Sequence, residues 1–205
     1  MPVVVVANPK GGVGKTTVAT NIAGYFASQG HQVMLGDADR QQSSLLWLRL
    51  RPAEARPIAS WELSKGQIAK PPKGTTHVVL DTPAGLHGKW MEEVLRTADK
   101  VVVPLSPSIF DMYATRAFLD ELAQHRKAGR MQVGIVGTRV DQRTIAADKL
   151  QEFTHALGLP VLGFLRPTQN YVYLAARGLT LSDLAPTKVE RDLEQWQGIQ
   201  RWLDA

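Results

Sequence analysis

The residues with the clearest chemical meaning are Asn8-Pro9-Lys10-Gly11-Gly12-Val13-Gly14-Lys15-Thr16-Thr17, directly after the apolar run Val3-Val4-Val5-Val6-Ala7. A buried strand, a glycine-rich turn and a helix starting at about Lys15 form the layout of an oxyanion cradle. Gly11, Gly12 and Gly14 let backbone N–H groups approach a phosphate where a Cβ would collide. Lys15 has the reach to meet β- and γ-phosphates, and Thr16 has the hydroxyl to hold Mg²⁺; Val13 and Thr17 complete the loop. The spacing departs from the general phosphate-loop pattern, because Pro9 stands where a glycine is usual and a second lysine, Lys10, sits at the mouth. Lys15 already serves its own cradle. Lys10 therefore makes sense as a cation aimed at the phosphates of a neighbouring subunit.

Phosphate chemistry also needs carboxylates for a metal and for the attacking water. Asp37-Ala38-Asp39 follows Val33-Met34-Leu35, and Asp81 follows Val78-Val79-Leu80 ahead of Thr82-Pro83-Ala84-Gly85. Asp81 reads as the carboxylate that holds Mg²⁺, through a coordinated water. One of Asp37 and Asp39 orients water for in-line attack, and the spacing does not say which. Thr138-Arg139-Val140-Asp141 and Pro167-Thr168 each follow a later strand, which makes Arg139, Asp141, Pro167 and Thr168 candidates for the walls around a nucleotide base. Asp141 also fits the start of a capped helix. The histidines show no ligand spacing, and the tryptophans read as packing residues.

These stations need a scaffold that brings strand ends together. Apolar runs at 2–7, 32–37, 57–60, 76–81, 99–104, 131–137 and 160–164 predict strands, and Val78-Val79-Leu80 and Val101-Val102-Val103 suit strands buried on both faces. Helical patterns fall at 15–29, 41–51, 62–69, 88–97, 110–127, 143–157, 168–177 and 186–204. Alternation of this kind predicts one α/β domain over 1–205: a mostly parallel, doubly wound sheet flanked by helices, with ligands at the carboxyl ends of its strands. The last helix carries a stripe of Val189, Leu193, Trp196, Ile199 and Leu203. Its polar face is more acidic than basic, so it is expected to pack on its own domain rather than on a membrane.

Composition narrows the function classes. The 205 residues include no cysteine, which excludes disulfides, thiolate zinc sites and iron–sulfur clusters. No basic-then-apolar leader and no membrane-length apolar stretch is present, so the expectation is a soluble cytoplasmic protein. The formal charge is +5. Its excess lies in two groups: Arg49, Arg51, Arg56, Lys65, Lys70 and Lys73, then Arg126, Lys127, Arg130, Arg139, Arg143 and Lys149. Such an excess favours polyanion partners without identifying which group touches one.

The segment Lys10–Thr17 resembles the deviant Walker A motif of the ParA/MinD superfamily of ATPases. Asp37-Ala38-Asp39, Val78–Gly85 and Val101–Ser108 extend the resemblance to small ParA/ParF-type partition proteins that lack an N-terminal helix-turn-helix domain. The resemblance implies ATP and Mg²⁺ as cofactors and a face-to-face homodimer with two nucleotides at its interface. It gives Lys15 the phosphates of its own subunit, Lys10 those of the opposite one, and Thr16 the metal. It gives Asp39 the hydrolytic water, which leaves Asp37 beside Thr16 and Asp81 as metal-side candidates. It further implies nonspecific, nucleoid DNA as a partner, a ParB-like or adaptor protein that stimulates hydrolysis, a positioned cargo and no membrane. Arg40-Gln41 stands where partition proteins commonly have Pro-Gln. A metabolic ligase on the same scaffold, similar to dethiobiotin synthetase, is the alternative.

Overall fold

The computed structural model describes residues 1–61, 70–125 and 128–205. The expected helix at 62–69 and the end of the one expected at 110–127 lie outside the described residues.

Strands β1 (Val3–Val6), β2 (Val33–Asp37), β3 (Ile58–Trp61), β4 (His77–Asp81), β5 (Lys100–Leu105), β6 (Gln132–Gly137) and β7 (Val161–Phe164) form one sheet in the order β3-β2-β4-β1-β5-β6-β7. Each strand pair is parallel. The Val-rich runs occupy the centre: Val4, Val5 and Val6 of β1 and Val101, Val102 and Val103 of β5 are fully buried. A strand covered on both faces has no use for alternation, which is why these segments read as continuous apolar runs.

Helices α1 (Lys15–Ser28), α2 (Ser43–Leu50), α3 (Gly88–Thr97), α4 (Ile109–Ala123), α5 (Ile145–Ala156), α6 (Gln169–Ala175) and α7 (Pro186–Asp204) cover both faces. One core packs residues of α3, α4 and α5, such as Leu95, Phe118 and Leu150, against Val5, Val101 and Ile135. The other packs α1, α2 and α7 through Phe26, Trp47 and Trp196 against Val4, Val79 and Val136. The predicted stripe of α7 is turned inward, with Trp196, Ile199 and Leu203 buried. Gly198 permits that approach, since a Cβ there would lie 2.2 Å from the Leu162 carbonyl oxygen. The buried Lys100 Nζ fastens the end of α7, donating to the carbonyls of Trp202 (2.6 Å) and Leu203 (2.9 Å), where a cation also suits the negative end of the helix dipole.

Helix α2 is shorter than the pattern at 41–51 suggests. Gln42 takes the left-handed conformation with φ 51°, and Arg51 is extended ahead of Pro52. A residue before proline is driven out of helical geometry by the ring.

Candidate phosphate site at the carboxyl edge of the sheet

The turn between β1 and α1 is shaped by Gly12 (φ 77°) and Gly14 (φ 88°), both in the left-handed region that side chains disfavour. Asn8 is fully buried and clamps the start of the turn. Its Nδ2 donates to the Pro104 carbonyl (2.8 Å) and the Thr115 hydroxyl (2.9 Å), while its Oδ1 accepts from the Lys10 N–H (2.8 Å). The carboxyl end of β1 is thus bonded to that of β5 and to α4. The Thr138 hydroxyl adds a further tie, donating to the Val13 carbonyl at 2.9 Å.

The two lysines have different surroundings. Lys15 is buried and curls back over the loop, its Nζ donating to the Lys10 carbonyl at 2.7 Å. Burial pulls its pKa down, and the charges of Asp81 and Asp39 partly offset this. Lys10 is 40 % exposed, and its Nζ stands 3.9 Å from an Asp111 oxygen at the start of α4. A pair this long and this wet is worth under about 1 kcal/mol, so Lys10 is available for another anion.

The carboxylates are set on neighbouring strands. Asp37 and Asp81 lie in register at the ends of β2 and β4. Asp81 is buried, and its Oδ2 accepts from the Thr16 hydroxyl (2.7 Å) and the Ser44 hydroxyl (2.8 Å). Its Oδ1 is buried with no hydrogen-bond partner. Burial pushes the Asp81 carboxyl up to about 6, opposed by the Thr16 and Ser44 bonds and by Lys15, and reinforced by Asp37. An orphaned carboxylate oxygen beside a threonine hydroxyl fits a divalent cation, which would offset the desolvation cost that the protein leaves unmet. Among the described residues no three His, Asp or Glu gather as a metal cage. A Mg²⁺ ion shared with phosphates needs only one or two protein oxygens.

Asp37 and Asp39 separate in role. Asp37 Oδ1 accepts from the Asp39 N–H (2.9 Å), and its Oδ2 accepts from the backbone N–H groups of Ser44 (2.8 Å) and Leu45 (3.3 Å). The buried Asp37 carboxylate is therefore a cap on the amino end of α2, where negative charge is favoured. Burial raises its pKa against those backbone bonds. Asp39 is half-exposed, and its Oδ1 accepts from the Gln41 backbone N–H at 3.0 Å.

Beyond the loop a cleft of about 350 Å³ opens between Gly14, Thr17 and Val18 on one side and Thr138, Arg139, Leu165, Pro167 and Thr168 on the other. Arg139 holds φ 54°, placing it in the left-handed region at the rim. Of the predicted wall residues, Arg139, Pro167 and Thr168 line this cleft and Asp141 does not. Asp141 is instead bonded by the Arg143 guanidinium (2.8 and 2.9 Å), which holds its carboxyl down at about 2. Its carbonyl accepts from the Thr144 hydroxyl just before α5. Sequence reasoning gave Asn8 no role of its own and missed Ser44, Leu165 and Val172. Only Ser44 carried a local signal, as a small hydroxyl at the start of a helix just after the acidic pair.

Comparisons with known proteins give the chain its family. A family model described as the CobQ/CobB/MinD/ParA nucleotide binding domain matches residues 4–181. The chain is 31% identical over 188 residues to the maintenance of carboxysome distribution protein A of Gloeobacter kilaueensis, covering 87% of this chain and 83% of that one. It is 29% identical over 184 residues to the chromosome-partitioning ATPase Soj of Thermus thermophilus, covering 72% and 73%. Among solved structures it is similar to the MinD cell division protein of Aquifex aeolicus (TM-score 0.75, 17% identity, 100% and 98% covered). It is similar also to the ATP complex of Cyanothece McdA(D38A) (TM-score 0.74, 19% identity, 95% and 94% covered). With its glycine turn, paired strand-end carboxylates and parallel sheet, the chain belongs to the CobQ/CobB/MinD/ParA family of nucleotide-binding domains.

Proposed function

We propose that the protein is a ParA-type ATPase that dimerises around Mg-ATP, binds nonspecific DNA in that state, and positions a cargo until a partner protein triggers hydrolysis. The carrying observation is the division of labour between the lysines: Lys15 is buried over its own loop, whereas Lys10 stands half in solvent at the mouth. Ile109, Phe110 and Tyr113 are exposed beside Asp111 on the first turns of α4, an apolar rim of the kind that interfaces cover.

In this reading the N–H groups of Gly11–Thr17 and the Lys15 ammonium hold the phosphates of the chain's own nucleotide. The Thr16 hydroxyl and Asp81 would hold Mg²⁺, which supplies charge neutralisation on the phosphate oxygens. Both Asp37 oxygens are engaged by backbone N–H groups, so in this reading Asp37 fixes the segment that carries Asp39 and leaves the ion to Thr16 and Asp81. Asp39 orients the attacking water, and Lys10 of each subunit reaches the phosphates of its twin. Arg139, Pro167 and Thr168 flank the base. The cargo follows the relatives, either a replicon or a protein assembly such as a carboxysome, and the stimulating partner is a ParB-like or adaptor protein. The reading places the protein on the nucleoid. The ligase alternative has less support, because the relatives named above are partitioning and positioning proteins.

The test is light scattering with a nonhydrolysable ATP analogue. The unaltered protein should double its mass. Lys10→Ala should bind a fluorescent ATP analogue yet stay monomeric, and Lys15→Ala should lose the nucleotide. An unaltered protein that binds the analogue and remains monomeric would refute the proposal.

A further inference from the structure

Arg49 and Arg51 are two residues apart in the sequence, yet the fold gives them opposite environments. The Arg51 side chain is buried, its guanidinium forming a two-point pair with Asp183 at 2.8 and 3.0 Å. Two more of its N–H groups donate to the Arg56 carbonyl (2.9 Å) and the Gly178 carbonyl (2.9 Å). One buried side chain therefore staples together the end of α2, the segment leading to β3 and the turn after α6. Gly178 (φ 64°) lies so close that a Cβ would sit 2.3 Å from the Arg51 nitrogen.

That staple gathers three exposed arginines: Arg49 on the last turn of α2, Arg56, and Arg177 just before Gly178. Among the described residues none of the three has a carboxylate partner. Arg177 instead lies over the exposed Tyr173 ring at 3.6 Å, a stacking that orients the planar cation. Several other cations are already neutralised, as in Arg116–Asp120, Arg143–Asp141, Lys149–Glu152 and Arg166–Asp192. The nearest exposed acid in the stapled segment is Glu54.

We infer that Arg49, Arg56 and Arg177 form the surface that grips the phosphate backbone of duplex DNA. Forked guanidinium groups on a rigid base suit phosphate without reading sequence. Arg49 and Arg177 follow elements that start at the nucleotide site: Ser44, in the first turn of α2, donates to Asp81, and α6 follows Thr168 of the cleft. This arrangement gives nucleotide occupancy a direct path to the surface. A lipid headgroup offers the same anion, and Leu46, Leu50, Val172 and Tyr173 are exposed nearby. However, α2 has 8 residues and α6 has 7, and the buried side of α2 is already packed through Trp47. Neither helix offers the long free apolar face of a membrane-surface helix.

The inference rests on the proposed ATP dimer, and the experiment separates the two. Random-sequence duplex DNA is titrated with the full-length protein in a nonhydrolysable ATP analogue at several salt concentrations, beside Arg49→Gln/Arg56→Gln/Arg177→Gln and the matching triple-lysine variant. With three contacts per protomer, the dimer should lose about a thousandfold in affinity between about 50 and 200 mM salt. The glutamine variant should lose most of the binding and most of the salt slope while still dimerising. The lysine variant should keep the slope. If the unaltered protein binds and the dimeric glutamine variant binds equally, the surface is wrong and the ATPase reading stands. If the unaltered dimer ignores DNA but binds anionic vesicles through these arginines, the ligand assignment is overturned. If the unaltered protein never dimerises, the underlying reading has failed.

Discussion

Removing Asp183 should cost more than any surface charge change, and the structure says by how much. The Arg51 and Asp183 side chains are 5% and 7% exposed. Asp183→Ala leaves the Arg51 guanidinium buried with only the Arg56 and Gly178 carbonyls as acceptors. It also strips the Thr180 N–H and hydroxyl of the carboxylate they share, each at 2.7 Å. Breaking a buried pair from one side typically costs about 3–5 kcal/mol, and for a domain of this size that corresponds to a melting point lower by about 10 °C. Arg51→Met should cost less, about 2 kcal/mol, because the stranded Asp183 keeps both Thr180 donors. The double variant should be more stable than Asp183→Ala alone, since it removes the uncompensated cation. Thermal and urea unfolding of the four proteins closes the cycle. Equal losses in the two single variants, or additive losses in the double, would show that the guanidinium finds water and that the staple contributes little.

Ser44→Ala removes one of two hydroxyls on Asp81 Oδ2; the expected loss is about 1.5 kcal/mol by urea unfolding, with a raised Mg²⁺ requirement for nucleotide binding. Asp39→Ala should trap an ATP dimer with little turnover, and unchanged phosphate release would move the water-orienting role elsewhere. Gly198→Ala would put a methyl group against the Leu162 carbonyl and should lower stability by about 1–3 kcal/mol through displacement of α7. The pH dependence follows from His77, stacked between Phe26 and His31 with centroids at 4.4 and 3.9 Å. Burial, His31 and the terminal amine lower its pKa from 6.5 to about 4. The unfolded chain thus takes up the proton first, and the stability held by the neutral ring is present above about 6.5 and lost as pH falls toward 4. The ring is half-exposed, so after solvent screening the loss is about 1–2 kcal/mol. His77→Phe should flatten the fall in melting temperature over that window.

The fold was legible because its signals are local and repeated. Val3–Val6 and Val101–Val103 are apolar without alternation, which only strands covered on both faces require, and each is followed by a helical period. The turn at Lys10–Thr17 was legible because the glycines that shape it are adjacent in the chain. What escaped depends on contacts between distant segments. Nothing around Arg51 distinguishes it from Arg49, and its burial is decided by Asp183, 132 residues away. Asn8 gives no sign that it will bond to Pro104 and Thr115. Asp37 and Asp39 look equivalent until Gln42 turns left-handed and brings α2 back onto the first of them. Asp141 does not line the cleft: a loop after a strand is on the ligand side in general, while the neighbouring Arg143 decides where this one carboxylate points.

A sheet whose strands all run one way has two dissimilar rims. The glycine turn occupies one, and the segment Lys70–Thr76 enters β4 at the other. Gly74 is exposed there, with open space around it. The five residues of β4 separate the rims by about 17 Å. Because the chain has no cysteine, one thiol introduced at Lys73 would be a unique chemical handle on the rim remote from the triphosphate. A dye or tether placed there would report the proposed nucleotide-driven pairing in single molecules without touching the glycine turn.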